Sequence, residues 1–249
     1  MAAGGGGMES AFDLSGERIL ITGAAGGIGA TTARACAALG AELLLVDRHQ
    51  TESLAQELRE SGVKAEPLVC DVASRAEVER VAAATGPVDA LVLAAGICPW
   101  DDWQDPGWDE AFEEVIAVNL HGPIHFARAY LPGMIQRRRG RMVLVGSVAG
   151  RTGGLVASAH YVASKGGLHS LVRWLAKRGA PHGVLVNGIA PGAIDTAMTR
   201  DQQIDAAQLP LGRKGSADEV AWPIAFLCSP AAGYVTGTVL DVNGGLYMN

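Results

Sequence analysis

The short run Arg18 to Thr22 (RILIT) passes directly into TGAAGGIG at 22–29, and an Ala-rich helical pattern follows over 28–39. This strand, glycine turn and helix in immediate succession constrain the fold more than any other segment. A short apolar run bounded by a turn reads as a buried strand. Glycines allow both the sharp turn and close approach of a ligand to the backbone. The helix N-terminus then presents unpaired N–H groups, and a favourable dipole, to a pyrophosphate. The spacing is not G-x-G-x-x-G, because Thr32 stands at the third glycine position. It is G-x-x-x-G-x-G, with Gly23, Gly27 and Gly29 as its glycines and Ile28 between the last two.

The alternation continues along the chain. Strands are predicted at 43–46, ending at 68–70, at 88–93, 141–146, 184–189 and 238–242. Helices are predicted over 51–61, through Val81, over 108–131 and 161–177, and from an S-x-x-E capping box at Ser216 and Glu219 through Leu227. Strands alternating with helices through short loops imply right-handed crossovers and a doubly wound parallel α/β sheet. Composition agrees: 49% of residues are hydrophobic but only 5% aromatic, so the core is built from Ala, Val, Leu and Ile, as in a sheet covered on both faces. Ligands of such sheets bind beyond the C-terminal ends of the strands. Gly23, Asp47, Asp71, Gly96, Ser147 and Pro191 all fall there.

The chain of 249 residues shows no internal repeat, so one domain is expected over 13–249, after a disordered lead-in at 1–12. MAAGGGG lacks the charged and apolar regions of a signal peptide, and no apolar run approaches the roughly 20 residues of a membrane helix. The net charge of -6 leaves no basic field for nucleic acid, and a small-molecule substrate is expected. The basic run at 137–141 reads as a solvated helix end. Cys36, Cys70, Cys98 and Cys228 show no CxxC spacing and the histidines no zinc pattern, so a reduced cytoplasmic protein without a metal is expected.

Chemistry is concentrated in YVASK. Tyr161 and Lys165 are four residues apart, hence on one helix face. A phenol ionises only near pH 10 unless an adjacent ammonium favours the phenolate. Ser147 lies just upstream. Asp47, at the end of the second strand, is placed to accept from the ribose hydroxyls of adenosine and to repel a 2′-phosphate. NAD is therefore expected over NADP, with Arg48 the dissenting residue. Asp71-Val72 is placed at the adenine edge, and Asp71 also suits a turn that caps a helix.

Taken together, TGAAGGIG, Asp47, Asp71-Val72, Asn119, Ser147, YVASK and Pro191-Gly192 followed by Thr196 resemble the short-chain dehydrogenase/reductase family over residues 15–249. The resemblance implies a single Rossmann-like domain, a seven-stranded parallel sheet and NAD(P)-dependent interconversion of alcohol and ketone. It assigns Tyr161 as general acid/base, with Lys165 lowering its pKa and holding the nicotinamide ribose. It gives Ser147 the substrate oxygen, Asn119 a water-mediated proton relay, and Ile194 and Thr196 the nicotinamide carboxamide. It also implies a homotetramer built through the two long helices and the C-terminal strand. One motif departs. Where the family typically has NNAG, this chain has Leu93-Ala94-Ala95-Gly96, which removes two amide side chains but keeps the glycine of close approach.

Trp100 and Trp103, in the loop CPWDDWQDPGW, are expected to overhang the nicotinamide as pocket wall or lid packing, and Trp108 to pack on a helix face. Leu155, Val156 and His160 are placed on the other side, His160 at a rim or in solvent. Cys98 reads as an inert buried thiol. A compact lid over 197–211 and two tryptophans point to a small secondary alcohol or ketone, cyclic or a diol. A rival is a beta-ketoacyl-carrier-protein reductase using NADPH, with Arg138, Arg139 and Arg178 meeting an acidic carrier; Asp47 opposes it. A non-catalytic dinucleotide-binding scaffold is opposed by the intact Ser147, Tyr161 and Lys165.

Overall fold

A computed structural model describes residues 11–154, 156–202 and 204–248. Its seven strands are β1 (Arg18–Thr22), β2 (Glu42–Asp47), β3 (Ala65–Val69), β4 (Ala90–Leu93), β5 (Gly140–Val145), β6 (Val184–Pro191) and β7 (Val239–Val242). They form one sheet in the order β3-β2-β1-β4-β5-β6-β7, and every pairing is parallel. The chain winds outward from β1 to β3, then crosses back to β4 on the other side of β1. That reversal opens a crevice beyond the C-terminal ends of β1 and β4.

Two apolar layers sandwich the sheet because successive strand side chains point to opposite faces. Ile19, Ile21, Leu43, Leu45, Val92 and Val143 pack with α1 (Gly27–Ala38) and the capping-box helix α8 (Ala217–Cys228). Leu20, Leu44, Leu91, Met142 and Leu144 pack on the other side, against α5 (Gly122–Arg137) and α7 (Ala159–Gly179). Each fully buried Leu or Ile contributes about 2 kcal/mol of transfer free energy, so the sheet is the rigid frame on which the loops stand.

The helix expected over 108–131 is instead three elements: α4 (Trp108–Ile116), a π-helical turn (Ala117–His121) and α5. Pro123 has no N–H, so it cannot make the regular bond back to the Asn119 carbonyl, and the ladder widens there. Gly122 is required beside it, because a Cβ would stand 2.9 Å from Val72 Cγ2. Helix α5 also runs past Pro132 to Arg137. The basic run beyond it is not simply solvated: Arg139 pairs with Glu17 at 2.5 Å, Arg141 approaches the same carboxylate at 4.0 Å, and Arg137 Nη2 donates to the Val88 carbonyl at 2.8 Å. These bonds pin the cluster to the N-terminal edge of the sheet, opposite the crevice. Of the expected lead-in, residues 1–10 lie outside the described residues. Among the described residues no helix is long and apolar enough to cross a membrane, and no group of three or more His, Cys, Asp or Glu is placed to share a metal ion.

Candidate active site

The glycine turn is folded tightly against two other loops. Gly23 has φ 70°, and a Cβ on it would lie 2.8 Å from Ala95 Cα. A Cβ on Gly29 would overlap the Gly23 carbonyl, and one on Gly27 would lie 2.8 Å from Thr196 Cγ2. Gly26 caps α1 without a side-chain bond, so the first N–H groups of that helix face a cavity of about 310 Å³. Gly23, Gly27, Ile28, Gly29, Asp47 and Thr196 line it, and Asp71, Val72 and Gly96 extend it across the β1–β4 crevice. A shallow cradle of backbone donors at a helix N-terminus fits the pyrophosphate of a dinucleotide.

Asp47 is fixed at the end of β2. Its Oδ2 accepts from Ala25 N at 3.0 Å and its Oδ1 from His49 N at 2.9 Å, which leaves each oxygen a lone pair for a ligand hydroxyl. Arg48 borders the same cavity, but its Nε donates to His49 Nε2 at 3.3 Å and its guanidinium lies 3.9 Å from the Glu114 carboxylate. Asp71 forms a turn, accepting from Ala73 N at 2.9 Å, while Ser74 caps the next helix. The backbone at the NNAG position is held by Thr22, whose Oγ1 accepts from Ala94 N at 3.1 Å and Ala95 N at 3.2 Å.

Gly96 sits between two of the expected chemical residues: a Cβ there would be 3.3 Å from both Asn119 Oδ1 and Lys165 Nζ. Asn119 is buried in the π turn. Its Oδ1 accepts from Ile97 N at 2.9 Å, and its Nδ2 donates to Ile97 O at 2.9 Å and approaches Ser164 Oγ at 3.1 Å. Ser147 follows β5 and accepts from Ala149 N at 3.1 Å, which starts the short helix α6 (Ala149–Thr152). Lys165 Nζ donates to the Val145 carbonyl at 2.9 Å. Just past β6, Gly192 is needed because a Cβ would lie 2.8 Å from Asn243 Cα; Pro191 accepts from Val148 N at 2.8 Å, and Ile194 is buried beyond it.

The protonation of the Tyr161–Lys165 pair differs from the simple expectation. Burial, with the neighbouring Cys98, pushes the Tyr161 phenol above its usual range, and the bond with Ser147 opposes this only in part. Burial also brings Lys165 down to about 8. Burial therefore favours the neutral phenol over the phenolate. Cys98 is held as a thiol, burial pushing it up to about 12.

A second cavity of about 220 Å³ lies over Ser147 and Tyr161, bordered by Cys98, Trp100, Val156 and Met198. None of its described lining residues is charged. Trp100 closes it by donating from Nε1 to the Met198 carbonyl at 3.2 Å. Trp103 does not take part: it is 69% exposed, thrown outward by a turn in which Asp102 N donates to Asp105 Oδ2. His160 is not at the rim. It is fully buried, its Nε2 lies 2.9 Å from Asp101 Oδ1, and its ring stacks on Trp108 at 5.6 Å. One residue along a helix is a rotation of about 100°, so with Tyr161 facing the cavity His160 faces α4. Leu155 lies outside the described residues. Asp101, Met198 and Ile204 escaped sequence reading, because nothing distinguishes Asp101 from its acidic neighbours or marks which lid residues turn inward.

A dinucleotide cradle beside a Ser–Tyr–Lys cluster at a topological switch point defines a nicotinamide-dependent oxidoreductase. The sequence profile of the family described as Enoyl-(Acyl carrier protein) reductase matches residues 23–247. The chain is 38% identical to a 3-oxoacyl-[acyl-carrier-protein] reductase of Escherichia coli (strain K12), over 95% of this chain and 100% of that one. It is 35% identical to an L-rhamnose 1-dehydrogenase (NAD(P)(+)) of Sphingomonas sp. (strain SKA58), over 95% and 98%. The solved structure of a 3-oxoacyl-[acyl-carrier protein] reductase with bound NAD from Brucella melitensis superposes with a TM-score of 0.89 at 32% identity, covering 100% of this chain and 99% of that one. The chain belongs to the short-chain dehydrogenase/reductase family. It is an NAD(P)-dependent enzyme that interconverts an alcohol and a ketone.

Proposed function

We propose that the enzyme uses NAD to interconvert a small, neutral secondary alcohol, cyclic or a diol, with its ketone. The observation that carries this reading is the cavity over Ser147 and Tyr161: about 220 Å³, with no charged group among its described lining. A carboxylate or phosphate in such a space would lack a partner and bear its full desolvation cost.

A bound nicotinamide supplies the hydride acceptor or donor. The chain manages position and one proton. Ser147 Oγ holds the substrate oxygen and Tyr161 Oη takes its proton in oxidation, or returns it in reduction. Lys165 holds the nicotinamide ribose and shares the proton load of Tyr161. Asn119 fixes the β4 loop beside Lys165 and supports the water relay behind it. Ile194 and Thr196 receive the carboxamide, the glycine cradle the pyrophosphate, and Asp71-Val72 the adenine edge. Asp47 favours NAD, because its anchored carboxylate accepts ribose hydroxyls and repels a 2′-phosphate. The assembly is a homotetramer, a reading supported by exposed Trp174 on α7 and by Trp222 and Leu240 around edge strand β7.

The second reading, a carrier-protein reductase using NADPH, draws on the 3-oxoacyl-carrier-protein relatives. Against it, Arg139 is paired with Glu17 at the sheet edge remote from the cavity, so it offers no dock at the mouth. NADH formation from a panel of secondary alcohols, cyclic alcohols and diols, set against NADPH-dependent reduction of a beta-ketoacyl thioester, separates the two. Turnover confined to the thioester with NADPH would overturn the proposed reading.

A further inference from the structure

The loop between β4 and α4 carries an acid that the chemistry above does not use. Asp101 Oδ1 lies 2.6 Å from Ser158 Oγ and 2.9 Å from His160 Nε2, with Oδ2 3.1 Å from the same nitrogen. Ser158 Oγ is also 2.7 Å from the Asp101 carbonyl and 3.1 Å from that of Pro99. Ser158 is the N-cap of α7, where a serine normally turns its hydroxyl back onto the first helical N–H groups. Here it makes no such bond and faces the loop instead. His160 closes the contact from the other side, fully buried and stacked on Trp108 with the ring planes 17° apart. A charge held against a buried partner is a constructed contact, unlike an exposed ion pair.

The preceding residue supplies the other half of the arrangement. Trp100 donates to the Met198 carbonyl of the lid. Adjacent residues therefore tie one short loop to the lid and to the start of the helix that carries Tyr161. The indole between them is a wall of the cavity.

We propose that Asp101 is a positioning residue: its bonds to Ser158 and His160 hold the loop so that Trp100 stands at the cavity wall and sets which alcohols fit against Ser147 and Tyr161. This rests on the reading of that cavity as the substrate site. Asp101 lines neither the dinucleotide cavity nor the substrate cavity, so it acts through Trp100. Asparagine at this position retains the geometry. Its amide oxygen, in the place of Oδ1, accepts from both Ser158 Oγ–H and His160 Nε2–H, and only the longer contact of Oδ2 with His160 is given up. Alanine retains none of it.

The test uses the full chain with Asp101→Ala and Asp101→Asn. It measures KM and kcat on the alcohol panel, the NAD dissociation constant by calorimetry, and hydrogen exchange over residues 97–107. Asp101→Ala is expected to raise KM about tenfold with kcat within about threefold, since a misplaced wall disturbs substrate seating first. NAD binding stays unchanged, the loop exchanges faster, and Asp101→Asn restores KM to within about threefold of the native value. Native KM and native exchange in Asp101→Ala would overturn the proposal, as would a loss of NAD binding equal to the loss of substrate affinity, which marks general damage. If the native enzyme turns over no alcohol of the panel, the substrate reading fails separately. Exchange over 97–107 then decides, faster exchange in Asp101→Ala supporting the clasp and unchanged exchange overturning it.

Discussion

Lys165 Nζ lies 5.5 Å from the centre of the Tyr161 ring and is anchored to the Val145 carbonyl at 2.9 Å. With the phenol raised by burial and the ammonium brought down to about 8, the first proton lost as pH rises leaves Lys165 near pH 8. Alcohol oxidation needs the pair to accept a proton, and ketone reduction needs it to give one. Oxidation should therefore accelerate as pH rises through about 8, while reduction slows over the same range. A flat oxidation profile from about pH 6 to about pH 10 would exclude this pair as the acid/base. Tyr161→Phe should lower kcat by about 10²- to 10⁴-fold and leave calorimetric NAD affinity within about threefold.

Cofactor choice should follow Asp47. Asp47→Ser removes the charge that repels a 2′-phosphate and keeps a hydroxyl near Ala25 N. The ratio of kcat/KM for NAD to that for NADP should fall at least about tenfold. Arg48→Ala should change that ratio less, because Arg48 is turned toward His49 and Glu114. A native preference for NADP that Arg48→Ala abolishes would show the opposite assignment.

The glycines of the cradle divide by mechanism. At Gly29 a methyl group would collide with the Gly23 carbonyl, so Gly29→Ala should weaken NAD at least about 100-fold in calorimetric titration. Gly62 has φ 86° but open space around it. Gly62→Ala should cost about 1 kcal/mol in urea unfolding and leave the NAD dissociation constant unchanged. Equal effects of the two substitutions on NAD binding would mean that the cradle is not the pyrophosphate site.

The sheet and the expected chemical residues were legible because their signals are local. An apolar run such as RILIT declares a strand by itself, and YVASK places Tyr161 and Lys165 on one helix face through spacing alone. The π turn was not legible over its own residues, since Ala117–His121 carry an ordinary helical pattern. Its signal is Pro123, whose missing N–H opens the ladder one turn earlier. His160 was misplaced for a related reason: a histidine beside the tyrosine of YVASK suggests a rim, whereas its orientation depends on Trp108 and Asp101, more than 50 residues upstream. Trp103 failed in the opposite sense, because its direction is set by the Asp102–Asp105 turn and not by its kinship with Trp100. What the sequence withholds are contacts between loops, where no periodicity operates.

Acid stability should report His169, a buried residue of α7 packed against Gly146. A Cβ on Gly146 would collide with its Nε2, which has no hydrogen-bond partner among the described residues. Burial first, and then Arg151, Lys165 and Arg173, bring its pKa down to about 4, against about 6.5 in an unfolded chain. Between these values the unfolded state binds the extra proton, so stability rises with pH across that window. The neutral imidazole's contribution is complete above about pH 6.5 and is lost as pH falls toward about 4. After allowance for solvent screening, the loss is on the order of 2 kcal/mol. His169→Gln removes the titrating group while keeping a polar side chain of similar length. Urea unfolding of the native and substituted enzymes at pH values from about 4 to about 7 should show a shallower acid slope for His169→Gln. Parallel slopes would assign the acid sensitivity to other groups and leave His169 with a packing role only.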